Sequence, residues 1–130
     1  MSDESGSPHF TVDLAWLLMV AERKTPGDPQ VTDWGALVAA VSRHSARILD
    51  LPVYDTPQAR AAALLQLLIH VPALERSNAM YATAVAYAYL VASGVRVATS
   101  PEQVRELARL VKSGSASVHD IEKELRRWTQ

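Results

Sequence analysis

The sequence predicts an all-α protein, a compact bundle of six helices in which two central helices are apolar on nearly every side. Apolar residues recur at helical spacing along the chain, and breaks rich in proline and glycine separate the periodic stretches. Residues able to cap a helix stand where those stretches begin. Composition agrees: alanine, leucine and valine dominate and there is a single phenylalanine, which suits close-packed helices better than a β-sandwich. At 130 residues, with 48% hydrophobic and 21% charged, the chain has the balance of an ordinary globular protein with one core.

Met1 to His9 is acidic and serine-rich and reads as a disordered leader, with residues 10–130 forming one helical domain. Thr11 is placed to cap a first helix carrying Leu14, Leu17, Leu18 and Ala21. Lys24 to Val31 holds Pro26, Gly27 and Pro29 and must be a loop. Thr32 is a second candidate N-cap, and Leu37, Val38, Val41 and Ile48 give the apolar stripe that follows it. Asp50 to Pro57 breaks the pattern again, with Val53 and Tyr54 as a short extended piece between prolines.

Thr56 then caps, and Pro57 takes the first helical position, where its missing N–H costs nothing. The third helix, Gln58 to about His70, is apolar nearly all round and therefore central. Pro72 interrupts it. Ser77 is the next candidate cap, opening a second all-apolar helix that runs to Ser93 and stops at Gly94. Ser100, Pro101 and Gln103 give a capping-box start to a fifth helix, which ends near Gly114. Ser117 opens a last helix with Ile121, Leu125 and Trp128 inward and a charged outer face, Glu122 and Arg126 standing at i,i+4.

Several function classes are disfavoured. A formal net charge of −1 provides no basic field for nucleic acid or anionic lipid. The absence of cysteine removes disulfides and thiolate chemistry and fits a reducing cytoplasm. His9, His44 and His119 lie in separate segments without metal-ligand spacing, and no Gly-rich nucleotide loop or G-x-S-x-G elbow occurs. The N-terminus lacks the basic start and apolar run of an export signal. The longest apolar run, Ala79 to Ala92, is about 14 residues where a membrane span needs about 20. Tyr81, Tyr87 and Tyr89 read as core or edge aromatics whose hydroxyls reach a partner, and Trp16 and Trp34 as packing residues.

Asp33 to Arg43, D-W-G-A-L-V-A-A-V-S-R, resembles the D-x-G-x-L-x-x-A-x-x-R segment of Doc-type toxins of the Fic/Doc family. Arg60 to Ile69 is similar to the helix that precedes the family's motif, and Ala82 to Gly94 to the helix that follows it. The turn at Ser113–Gly114 and the final helix also match, so the resemblance spans about residues 11 to 128 in order. It implies a Fic/Doc-like helical bundle whose motif loop, Val71 to Asn78, joins the two central helices.

The family motif is H-P-F-x-[DE]-G-N-K-R, and here the chain departs from it. With both flanking helices aligned without a gap, Pro72 falls on the histidine, Ala73 on the proline and Leu74 on the phenylalanine. Arg76 falls on the metal-binding acid, Ser77 on the glycine, and Ala79 and Met80 on the lysine and arginine. Asn78 alone among the chemically active positions keeps the family residue. In the family the histidine is the general base, and proline has no proton acceptor to replace it. An arginine would repel the magnesium that the acid holds. Glycine and the helix N-terminus cradle phosphate through backbone N–H groups, a role Ser77 partly preserves. The motif's cations neutralise phosphate charge, which Ala79 and Met80 cannot do.

A loop shifted by two residues gives a different set: His70 as base, with Glu75, Arg76, Ser77 and Asn78 as the nucleotide-binding group. Against that, His70 suits the C-terminal end of a helix dipole, Glu75 and Arg76 an exposed ion-paired turn, and Asn78 a cap. Leu51 to Thr56 lies where the family carries a flap that holds a target segment by strand-like pairing, which assigns Val53 and Tyr54 to the flap; a plain interhelical loop is the alternative.

Two functions follow from the resemblance. The first is a Doc-like protein with an eroded loop that acts by binding, as a pseudoenzyme or a regulatory toxin–antitoxin component. It needs no cofactor or metal and pairs with a protein (antitoxin or target) or with its own copies. The second is an active transferase moving phosphate or AMP from ATP, with magnesium, onto a hydroxyl of a cytoplasmic protein.

Overall fold

In a computed structural model that describes residues 10–129, the chain forms six α-helices and one short hairpin among the described residues. They are α1 (Leu14–Lys24), α2 (Trp34–His44), β1 (Arg47–Ile48), β2 (Leu51–Pro52), α3 (Pro57–His70), α4 (Asn78–Ala92), α5 (Pro101–Lys112) and α6 (Val118–Trp128). The leader expected over residues 1–9 lies outside the described residues.

Helix α3 is the axis. Ala59 to Leu65 and Leu68 are all buried, and the helix packs against α4, α6, α2 and α5. Only a helix apolar on every side can be surrounded in this way. Helix α4 is the second central element, with Tyr81, Ala82, Val85, Ala86, Tyr89 and Leu90 inside, and α1 lies against its other flank. Unlike α3 it keeps one open stripe, along which Met80, Tyr87 and Val91 are exposed. The two amphipathic helices α5 and α6 close the bundle with Leu107, Val111, Ile121, Leu125 and Trp128. Each fully buried Leu or Ile of this kind contributes about 1.5–3 kcal/mol.

The tyrosine hydroxyls at the centre find backbone partners. Tyr81 Oη donates to the Leu17 carbonyl at 2.8 Å and Tyr89 Oη to the Phe10 carbonyl at 3.0 Å. Burial pushes the Tyr81 hydroxyl well above its ordinary titration range. Tyr87, by contrast, lies on the exposed stripe.

The later starts form as the spacing predicts. Thr56 Oγ1 accepts from the Ala59 amide at 3.0 Å with Pro57 in the first turn. Ser100 with Gln103 and Ser117 with Asp120 form complete capping boxes. Three caps are corrected. Helix α1 is capped by Asp13 rather than Thr11, its carboxylate accepting from the Trp16 amide at 2.8 Å. Helix α2 is capped by Asp33 rather than Thr32, accepting from the Ala36 amide at 3.2 Å. Both shifts follow the stronger acceptor, a carboxylate one or two residues beyond the hydroxyl. Ser77 makes no capping bond and has left-handed backbone, φ 64°.

Helix α2 stops at His44, so Ile48 is not on its stripe but in the hairpin, where it is exposed. The buried face of α2 is Ala36, Leu37, Ala40 and His44, and Val38 points outward. The hairpin turns at Leu49 and Asp50, whose φ values of 52° and 64° are those of a tight two-residue turn.

Candidate functional site: the motif loop and the start of helix α4

The loop between α3 and α4 is held by three sets of contacts, one from Asn78 and two from the α1–α2 connection. Asn78, the first residue of α4, folds its carboxamide back over the loop. Its Oδ1 accepts from the amides of Ala73 (3.1 Å) and Leu74 (3.0 Å), and its Nδ2 donates to the Leu74 carbonyl at 2.9 Å. Ala73 and Leu74 are buried in the core. On the other side the loop pairs with the α1–α2 connection, through an antiparallel bridge between Val31 and Leu74. The amides of Thr32 and Asp33 both donate to the Ala73 carbonyl, at 2.8 and 3.1 Å. Thr32, expected as a cap, is spent here.

Glu75 and Arg76 form the third attachment. The Glu75 amide donates to the Gln30 carbonyl at 2.9 Å, and Glu75 Oε2 accepts from the Gln30 amide at 2.7 Å. Arg76 pairs with Glu75 at 3.1 Å and donates to the Gly27 carbonyl at 2.7 Å. The guanidinium passes so close to Gly27 that a Cβ there would meet Arg76 Nη2 at 2.6 Å. Both charged side chains thus turn toward the α1–α2 loop.

Beside the start of α4, on the opposite side of the loop, lies a cavity of about 410 Å³. It is lined by Ile69, Pro72, Ser77, Asn78, Ala79, Met80 and Lys112. Pro72 faces this cavity, whereas His70 ends α3 on the exposed surface and is not part of its lining. Neither Glu75 nor Arg76 lines it. Lys112, from the last turn of α5, supplies a cation that sequence reasoning missed. Nothing local marks it, because it reaches the cavity from a helix about 30 residues further along the chain. A second cavity of about 490 Å³ shares Ala79 and Met80 and continues between α4 and α5 past Tyr87, Pro101 and Val104.

The segment assigned to a flap is a hairpin. Arg47 pairs with Pro52 and Ile48 with Leu51, and the Val53 amide extends the ladder by donating to the Ala46 carbonyl at 2.9 Å. The regular pairing thus lies just before Val53 and Tyr54, which form its exit. Val53 is exposed. Tyr54 is an anchor: its hydroxyl accepts from Arg43 Nε at 3.1 Å, and its carbonyl accepts from Arg60 Nη1 at 2.9 Å. At the tip Leu49 is 92% exposed, flanked by exposed Ile48 and Leu51.

No family model matches the chain. It is, however, 33% identical over 101 residues to Toxin Doc of Mycolicibacterium smegmatis, an alignment covering 76% of this chain and 78% of that protein. The chain belongs to the Doc toxin family. Among the described residues no group of three or more histidine, aspartate or glutamate side chains is positioned to hold a metal ion. Nor is any described helix long and apolar enough to cross a membrane.

Proposed function

We propose that this Doc-family protein acts by binding a protein partner and that its motif loop has lost group transfer. The observation that carries this reading is the presence of Pro72, with no proton-accepting atom, in the cavity at the start of α4 where a general base would have to stand. The rest of the loop supports it. Glu75 and Arg76 are engaged by the α1–α2 loop, and Asn78 is spent on loop amides. A loop so occupied is a structural staple. The exposed hairpin and the open stripe of α4 offer surface for a partner, an antitoxin or a regulated target.

The second reading is transfer of phosphate or AMP from ATP with magnesium, and its one support is Lys112 beside the N-terminus of α4. It requires His70 to leave the surface and Glu75 to leave Gln30. A growth assay on expression of the wild type, His70→Ala and Pro72→His, paired with calorimetry of ATP and magnesium, separates the two. Binding without transfer leaves the wild-type and His70→Ala phenotypes identical and gives no heat with ATP. Micromolar ATP binding, or a phenotype abolished by His70→Ala, overturns the proposal.

A further inference from the structure

We propose that the segment Phe10–Asp13 is a pH-gated strap, held across a cavity behind the hairpin by the neutral imidazole of His44 and released when that imidazole takes up a proton. His44 ends α2 and is 2% exposed. Its Nδ1 lies 2.6 Å from the Val41 carbonyl and 3.3 Å from that of Ala40. Carbonyls only accept, so Nδ1 carries the hydrogen. Its Nε2 lies 3.1 Å from the Val12 amide nitrogen, 32 residues back in the chain. An amide only donates, so Nε2 offers its lone pair. A second proton has only Nε2 to occupy, where it would set one donor against another.

The groups around the ring make that proton costly. Arg60 of α3, itself buried, donates to Tyr89 Oη at 2.7 Å and to the Tyr54 carbonyl. Tyr89 of α4 sits edge-on to the imidazole at 5.9 Å. From the hairpin side Arg47 and Tyr54 line the same cavity of about 210 Å³, and its lining holds no carboxylate among the described residues. Burial first, and then the charge of Arg60, hold the imidazole below its ordinary value of 6.5, against the pull of the Val41 and Ala40 carbonyls.

The strap is short, and besides the His44 contact it is held by Tyr89 Oη, which donates to the Phe10 carbonyl at 3.0 Å, and by the Asp13 cap of α1. Val12 is fully buried, and Phe10 packs on Trp16 and Tyr89 at 5.4 and 5.9 Å. Val12 is the strap's one side chain in the core, and Phe10 lies at that core's margin; α3, on which the core is centred, is not part of the segment. Protonation therefore opens residues 10–13 locally and uncovers the cavity against Pro52 and Tyr54, the exit of the hairpin. The inference holds whether or not the motif loop is catalytic.

Amide exchange of the full chain, followed by NMR from pH 8 to pH 5, tests this. The protection factor of Val12 should fall about tenfold per pH unit below 6.5, until His44 is itself protonated in the closed form, while that of Leu65 stays constant. His44→Gln retains an acceptor for the Val12 amide without titrating, and should flatten the profile. A flat wild-type profile, the same fall in His44→Gln, or a joint loss at Val12 and Leu65 overturns the proposal. Should the variant not fold, the ¹⁵N shift of His44 Nε2 in the wild type decides: a midpoint differing from the pH at which the fall at Val12 levels off overturns it.

Discussion

Asn78 satisfies two amide donors and one carbonyl of a loop whose residues Ala73 and Leu74 are buried. Replacing it with alanine leaves those groups without a partner in a place water reaches poorly, so Asn78→Ala should destabilise by about 2–3 kcal/mol. Denaturant titration measures this, and a loss below about 0.5 kcal/mol would mean that water replaces the carboxamide freely. Gly27 tests the neighbouring attachment. Its φ of +76° and the approach of Arg76 are independent obstacles to a side chain. Gly27→Ala should cost about 1–3 kcal/mol, and adding Arg76→Ala should recover the steric part but not the backbone part. Full recovery in the double variant would show that the backbone strain is negligible.

At the scale of elements, what the sequence made legible is what local chemistry decides. The proline and glycine breaks bounded α1, α3, α4 and α5 to within a few residues, whereas α2 stops at His44, short of the expected Ile48, and Thr56, Ser100 and Ser117 cap where their spacing says. Asp13 and Asp33 displaced Thr11 and Thr32 because two acceptors stood close together and a carboxylate binds amides more strongly than a hydroxyl. The hairpin was not legible, since Leu49–Asp50 lacks the Asn-Gly chemistry that announces a two-residue turn. In the candidate site, the place of Pro72 in the loop could be read from its flanking helices. The pairing of Val31 with Leu74 and the approach of Lys112 are long-range and had no local pattern. The unfavourable turn gives a prediction of its own. Both tip residues hold positive φ without being glycine, so replacing Leu49 by Asn and Asp50 by Gly should raise stability by about 1 kcal/mol. Thermal unfolding reads the change, and a decrease would mean that exposed Leu49 is held by contacts that compensate its backbone.

At the scale of the whole molecule, the fold displaces the acid titration of two described groups, His44 of α2 and Asp120 of α6. His44 is held below 6.5 by burial, so the folded chain binds fewer protons than the unfolded chain once pH drops beneath that value. Its contribution is complete above pH 6.5 and is lost as pH falls toward the folded value. Asp120 is exposed and held below 3.8, chiefly by the Ser117 amide and hydroxyl that it caps in return. Its contribution persists to lower pH and disappears only as the carboxylate is protonated. Stability should therefore decline in two separated limbs, the upper belonging to α2 and the N-terminal strap, the lower to the first turn of α6. Denaturant midpoints measured from pH 8 to pH 3 should show both. His44→Gln should erase the upper limb and leave the lower, while Ser117→Ala should shrink the lower and leave the upper. A midpoint that rises between pH 7 and pH 5.5, or an upper limb unchanged in His44→Gln, would place the acid sensitivity of this fold somewhere other than the buried imidazole.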